Sequence, residues 1–155
     1  MQLKRGIGKV LKYGVLLSTY ALVASVVLQI FARFFLTTTP PWTEAASRLF
    51  FIYSTAFAAG LALQHRYYVH LDVFFELLPK VMQKWLRLFI PLFTLLLFGL
   101  MTIYSITFIV YGHREFSPSM GIRMSYVFAS TFILGASVSY YALLQFATEV
   151  KNWNK

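Results

Sequence analysis

Residues able to do acid–base or ligand chemistry are few and scattered. There are three histidines, His65, His70 and His113, five acidic residues and no cysteine. Without cysteine, disulfides, thiolate metal ligands and thiol nucleophiles are excluded. His65, His70 and Asp72 have metal-ligating types but follow no recognised ligand spacing. Haem ligation needs imidazoles facing one another from neighbouring helices, and these three sit beyond the ends of apolar stretches, which speaks against a b-type cytochrome. The alternative reading they leave open is a membrane anchor for a redox complex binding haem or quinone. No catalytic constellation emerges, so no enzyme activity, cofactor or metal is expected.

Two charged residues do stand at an informative spacing. Arg48 follows Glu44 by four positions, in the order that favours an intrahelical ion pair. Arg48 is also the one charge inside an otherwise uncharged run, where an arginine at bilayer mid-depth costs about 2.5–3.5 kcal/mol. A shallow position lets the side chain snorkel outward and reduces that cost. Arg33 completes a possible Arg–Glu–Arg group, which either anchors the chain at the interface or meets a partner protein or lipid headgroup.

The elements that position these residues follow from hydropathy. The 155 residues are 59% hydrophobic and 12% charged, far from the roughly 25% charge of ordinary soluble domains. A soluble domain of this size cannot hide so much apolar surface, so the excess faces lipid. Residues 13–32, 45–64, 88–111 and 124–148 form four apolar stretches. Each reaches the roughly 20 residues needed to cross about 30 Å of hydrocarbon as a helix. The first is too long for a signal-peptide core of roughly 7–15 residues, so a retained span is expected. The resulting expectation is a single all-α membrane domain, with spans at 13–36, 44–64, 88–111 and 123–148.

Basic residues set the orientation. Lys4, Arg5, Lys9 and Lys12 precede the first span, Arg66, Lys80, Lys84 and Arg87 separate the second from the third, and Lys151 and Lys155 end the chain. The opposite side holds only Arg33, Arg48, Arg114 and Arg123. The positive-inside rule therefore places both termini in the cytoplasm. The net charge of +9 serves topology and contact with anionic phospholipids; no basic stripe alternates with aromatics, so nucleic acid is not a partner.

Between the second and third spans, residues 71–87 are amphipathic. Phe74, Leu77, Leu78, Val81 and Trp85 recur at helical spacing, opposite Asp72, Glu76, Lys80, Gln83 and Lys84. Pro79 is expected to split this stretch into two short helices. The reading is an interfacial helical segment anchored by Trp85, and equally a brace for a partner subunit.

No Asp or Glu falls deep in any span, whereas ion-coupled transporters commonly place ionisable groups there. Small residues are plentiful instead: Gly14, Ser18, Ala21 and Ser25 in the first span, Ala56 and Gly60 in the second, Ser125, Ala129, Gly135 and Ser139 in the fourth. They allow close helix approach in lipid, either within this chain or toward a partner.

These residues, in order, resemble a known family. Trp42-Thr43-Glu44-Ala45-Ala46-Ser47-Arg48 opens the second span and Phe57-Ala58-Ala59-Gly60-Leu61-Ala62 closes it. Arg66, His70-Leu71-Asp72-Val73 and Leu78-Pro79 follow, then Ser117-Pro118-Ser119-Met120-Gly121-Ile122 before the last span; Arg33 ends the first. Together they resemble the DctQ-like small membrane subunit of tripartite ATP-independent periplasmic (TRAP) transporters, over essentially the whole chain. Two positions depart: Arg123 stands where proline usually follows, and the last span has no proline near Thr131 and Phe132. The resemblance implies a scaffold subunit of the bacterial inner membrane. Its partners would be a large subunit carrying the sodium and substrate sites, which moves as an elevator, and a periplasmic binding protein delivering an organic acid. It implies structural or interface roles, not substrate binding, for Arg33, Trp42, Glu44 and Arg48 on the outer side and Arg66, His70 and Asp72 on the inner. Gly60, Pro79 and Trp85 join them from the packing and interface arguments.

Overall fold

Each apolar stretch becomes one long helix, because backbone amides and carbonyls in hydrocarbon find partners only within their own helix. The computed structural model of the protein describes residues 2–35, 40–65 and 79–153. These form α1 (Gln2–Phe35), α2 (Pro41–His65), α3 (Lys80–Gly112) and α4 (Met124–Trp153), with no strand among them. All four are long and apolar enough to cross a membrane.

The helices outrun the expected spans. At 1.5 Å per residue, the 34 residues of α1 reach about 51 Å, well beyond a hydrocarbon core of about 30 Å. Its first turns carry Arg5, Lys9 and Lys12; no proline interrupts them, and a helix already nucleated by the span extends at little cost. Pro41 takes the first position of α2, where its missing amide is no loss. Pro79 precedes α3 with φ −56° and ψ 142°, an extended geometry that sets the helix start at Lys80.

Residues 66–78, with Arg66, His70, Asp72 and the first half of the expected interfacial segment, lie outside the described residues. Lys80–Arg87, expected as its second half, are the opening turns of α3 and run without a break into the span. A change from amphipathic to fully apolar pattern keeps the helical period, so nothing there interrupts the backbone ladder. Trp85 is about half exposed and stacks on Phe89 at 5.7 Å. Pro91, buried within α3, removes a hydrogen bond to the Arg87 carbonyl near the polar end of the helix.

Among the described residues the helices form a row rather than a closed bundle. α1 lies along α2, α2 against α4, and α4 along α3. Thr19 meets Ser54 through a 2.8 Å hydrogen bond, while Gly14 faces Phe57, so α1 and α2 are antiparallel. α2 and α4 are parallel: Tyr53 pairs with Tyr126, Gly60 with Ser137, Gln64 with Tyr141. The row order is α1–α2–α4–α3. It brings the α1–α2 and α3–α4 connections to one end, and residues Gln2, His65 and Lys80 to the other.

Among the described residues fully buried apolar side chains are few, the largest being Tyr141 and Val138. Leu17 and Phe34 of α1 and Phe93 and Ile103 of α3 are largely exposed. For a protein in water this would be a prohibitive apolar surface; in lipid it is the solvated face.

Candidate functional site

The described residues contain no group of three His, Cys, Asp or Glu side chains able to hold a metal ion. What the tertiary structure builds instead are two different junctions between the parallel helices α2 and α4, one at each end.

At the end nearest the termini the helices touch. A Cβ placed on Gly60 would lie 2.6 Å from the Ser137 side chain and 3.2 Å from Leu11, so three helices meet where only glycine fits. Leu11, Leu63, Val138, Tyr141 and Ala142 form the buried cluster beside it. Tyr141 donates its hydroxyl hydrogen bond to Gln64 Oε1 at 2.8 Å, and Gln145 Nε2 donates to the Leu63 carbonyl at 3.0 Å. Gly8 gives Gln64 the room it needs, since a Cβ there would fall 2.6 Å from the amide oxygen. This seam is polar at its heart, yet its amide and phenol groups answer one another, as burial requires.

At the other end α2, α4 and the segment before α4 border an open groove of about 360 Å³. Glu44, Arg48, Leu49 and Ile52 form the α2 wall; Ser117, Ser119 and Ile122 of the connecting segment, with Met124 and Val127 of α4, form the other. Arg48 Nη2 donates to Glu44 Oε1 at 2.5 Å, the i,i+4 pair expected from their spacing. Both remain more than half exposed, at 76% and 60%. Arg33 is exposed at the end of α1 and, among the described residues, makes no ion pair with Glu44. Trp42 is about half exposed in the first turn of α2. Thr43, in contrast, is 1% exposed and ties that turn to the Pro40 carbonyl through its hydroxyl at 2.8 Å.

The opposite wall is held by a compact turn. Phe116 and Arg123 bridge across it, Ser117 N–H donates to the Ile122 carbonyl at 2.8 Å, and Gly121 N–H donates to the Ser117 carbonyl at 2.8 Å. Gly121 has φ +66°, a left-handed conformation that glycine adopts freely and other residues rarely do. Arg123 Nη1 also contacts the His113 ring. The two walls are linked where Tyr53 donates its hydroxyl to the Tyr126 carbonyl at 2.6 Å.

The sequence also matches a family model, that of tripartite ATP-independent periplasmic transporters, DctQ component, over residues 22–152. The chain belongs to this family. It is thus a multi-pass membrane protein and a small membrane component of a TRAP transporter. No curated protein sequence matches it.

Two positions that depart from the usual DctQ pattern are accommodated without a break. Arg123 takes the bridge to Phe116, and the following helix, lacking a mid-span proline, is continuous from Met124 to Trp153. The small residues singled out in the sequence meet partners within the same chain: Gly14 faces Phe57, Gly60 faces Ser137, and Gly135 faces Thr102. Sequence reasoning missed Thr43, Gln64, Tyr141 and Gln145. Their signal was faint but present: Gln64 and Gln145 are amides at the same ends of two apolar runs, where a buried amide calls for a partner.

Proposed function

We propose that this DctQ-family protein is the static scaffold subunit of a sodium-driven transporter for an organic acid. It pairs with the large elevator subunit, which carries the sodium and substrate sites, and works with a periplasmic binding protein that delivers the substrate. The observation that carries the reading is where the acids lie. Glu44, Asp72, Glu76, Glu115 and Glu149 are at the ends of the apolar runs or between them, so no carboxylate stands at mid-depth to couple an ion to a solute. The family match supplies the transporter context. The row arrangement fits a scaffold, because a row leaves broad apolar faces on which a larger membrane partner can lie.

In this reading the protein sits in the bacterial inner membrane with both termini cytoplasmic. The groove end faces the periplasm, and residues 71–87 lie at the cytoplasmic surface, with Trp85 at headgroup level. Arg33 and Trp42 anchor the outer ends of α1 and α2, Pro79 sets where α3 begins, and Gly60 holds the inner seam together. Arg66, His70 and Asp72 serve the inner surface as interface positions.

Purification of the tagged chain from its native membrane tests this directly. The expected result is co-isolation with a many-helix membrane protein, and loss of sodium-dependent uptake on deletion, restored by re-supplying the chain. Isolation as a lone species with uptake unimpaired would sink the proposal, as would solute flux through liposomes containing this chain alone.

A further inference from the structure

We propose that the groove between α2 and α4 is a binding site for one zwitterionic aminophospholipid. Its phosphodiester sits on Arg48, its ammonium on Glu44, and an acyl chain lies along Ile52 and Val127. This goes beyond the scaffold role; the site rests on the helices crossing a bilayer, and its test on the membrane partner proposed above.

The first argument is level. Glu44 is in the first turn of α2 and Arg48 one turn further in, so the pair lies where the span meets the headgroups. Helical side chains lean toward the helix N-terminus, and the Arg48 guanidinium accordingly reaches outward to Glu44.

The second argument is the order of polarity along the groove. Ser117 and Ser119 accompany the charged pair near the start of α2, among the apolar Pro41, Met120 and Ile122, while the lining further along the two spans, at Leu49, Ile52 and Val127, is wholly apolar. A lipid has this same sequence of headgroup followed by chain. The volume, about 360 Å³, falls within the roughly 300–1,000 Å³ typical of small-molecule sites.

Charge decides the class. Glu44 and Arg48 together are neutral, so a purely anionic ligand meets the carboxylate and a purely cationic one the guanidinium. A phosphodiester followed by a primary ammonium satisfies both. The planar guanidinium can grip phosphate oxygens in bidentate fashion, and the ammonium offers three donors to the carboxylate. A quaternary ammonium offers none. Because both side chains are well exposed, exchanging their mutual pair for the headgroup sacrifices little. A protein loop of one charge would leave one member of the pair opposed by its like.

The test measures lipid retained by the full-length protein, purified with its membrane partner, using native mass spectrometry. Phosphatidylethanolamine, phosphatidylcholine and phosphatidylglycerol are offered in turn. The wild type should hold one phosphatidylethanolamine about tenfold more tightly than either competitor, the scale of one charge-assisted hydrogen bond. Glu44→Gln should erase the preference over phosphatidylcholine, and Arg48→Gln should release the lipid. Ile52→Trp, which fills the apolar stretch and leaves the charges intact, should also release it. Equal retention of all three lipids by the wild type would overturn the assignment, as would unchanged retention in both Arg48→Gln and Ile52→Trp. A photo-crosslinker at Met120 (Met120→p-benzoylphenylalanine) should label phospholipid; labelling of a protein segment instead overturns it.

Discussion

The same two parallel helices, α2 and α4, make a closed junction at one end and an open one at the other. At the closed end Gly60 meets Ser137 and Leu11 with no space for a Cβ, and the amides of Gln64 and Gln145 are paired across the interface. At the open end Ala45, Arg48 and Ile52 face Ser119, Met124 and Val127 across a groove. The difference is one of fit: Gly60 leaves no space for a Cβ against Ser137, whereas the residues lining the other end, small and long together, do not fill the space between them. In lipid, where apolar surface gains nothing by association, this steric fit sets helix spacing. One end therefore holds the row together and the other is free to bind.

Substitutions that add volume break this comparison most sharply. Gly60→Val should lower thermal stability in detergent by about 1–3 kcal/mol or more, since overpacking a closed junction forces backbone shifts. Ala45→Val adds volume at the groove instead and should stay within about 0.5 kcal/mol of wild type. Equal losses in both variants would mean that the two ends are equally packed. Gly121→Ala comes next, with an expected cost of about 1–2 kcal/mol, because its φ of +66° strains any other residue. That loss arises from backbone conformation at the open end, so it should persist when the groove is filled.

Smaller effects sharpen the picture further. Tyr141→Phe deletes the hydroxyl that reaches Gln64 and keeps the ring in place. The expected loss is about 0.6 kcal/mol, the average for interhelical hydrogen bonds in membranes, and an unfolding titration with a denaturing detergent should detect it. In lipid-free detergent Arg48→Gln, losing an exposed pair, should leave the unfolding midpoint unchanged. A clear drop would make this pair a structural tie of the open end.

Much of the architecture was legible in the residues because hydropathy and helix periodicity are local properties. The four apolar runs and the Glu44–Arg48 pairing follow from neighbours within a few positions. The extent of the helices was less legible: α1 continues through the basic residues Arg5, Lys9 and Lys12, and α3 begins at Lys80 rather than 88. Charge marks where lipid ends, but a helix stops only where its backbone ladder is broken. Glu44 and Arg48 were legible as a pair, but the groove they border was not, since its walls are separated by some 70 residues of chain.

The amino-acid sequence alone determined that this chain lives in a membrane, crosses it as helices and has no carboxylate within its four apolar runs, since transfer free energies belong to individual side chains. Only the tertiary structure decided that the helices stand in the order α1–α2–α4–α3, and that the small residues Gly14, Gly60 and Gly135 serve the chain's own junctions. That choice depends on which surfaces interlock at van der Waals distance. Apolar patterns are nearly interchangeable between helices, and do not encode it.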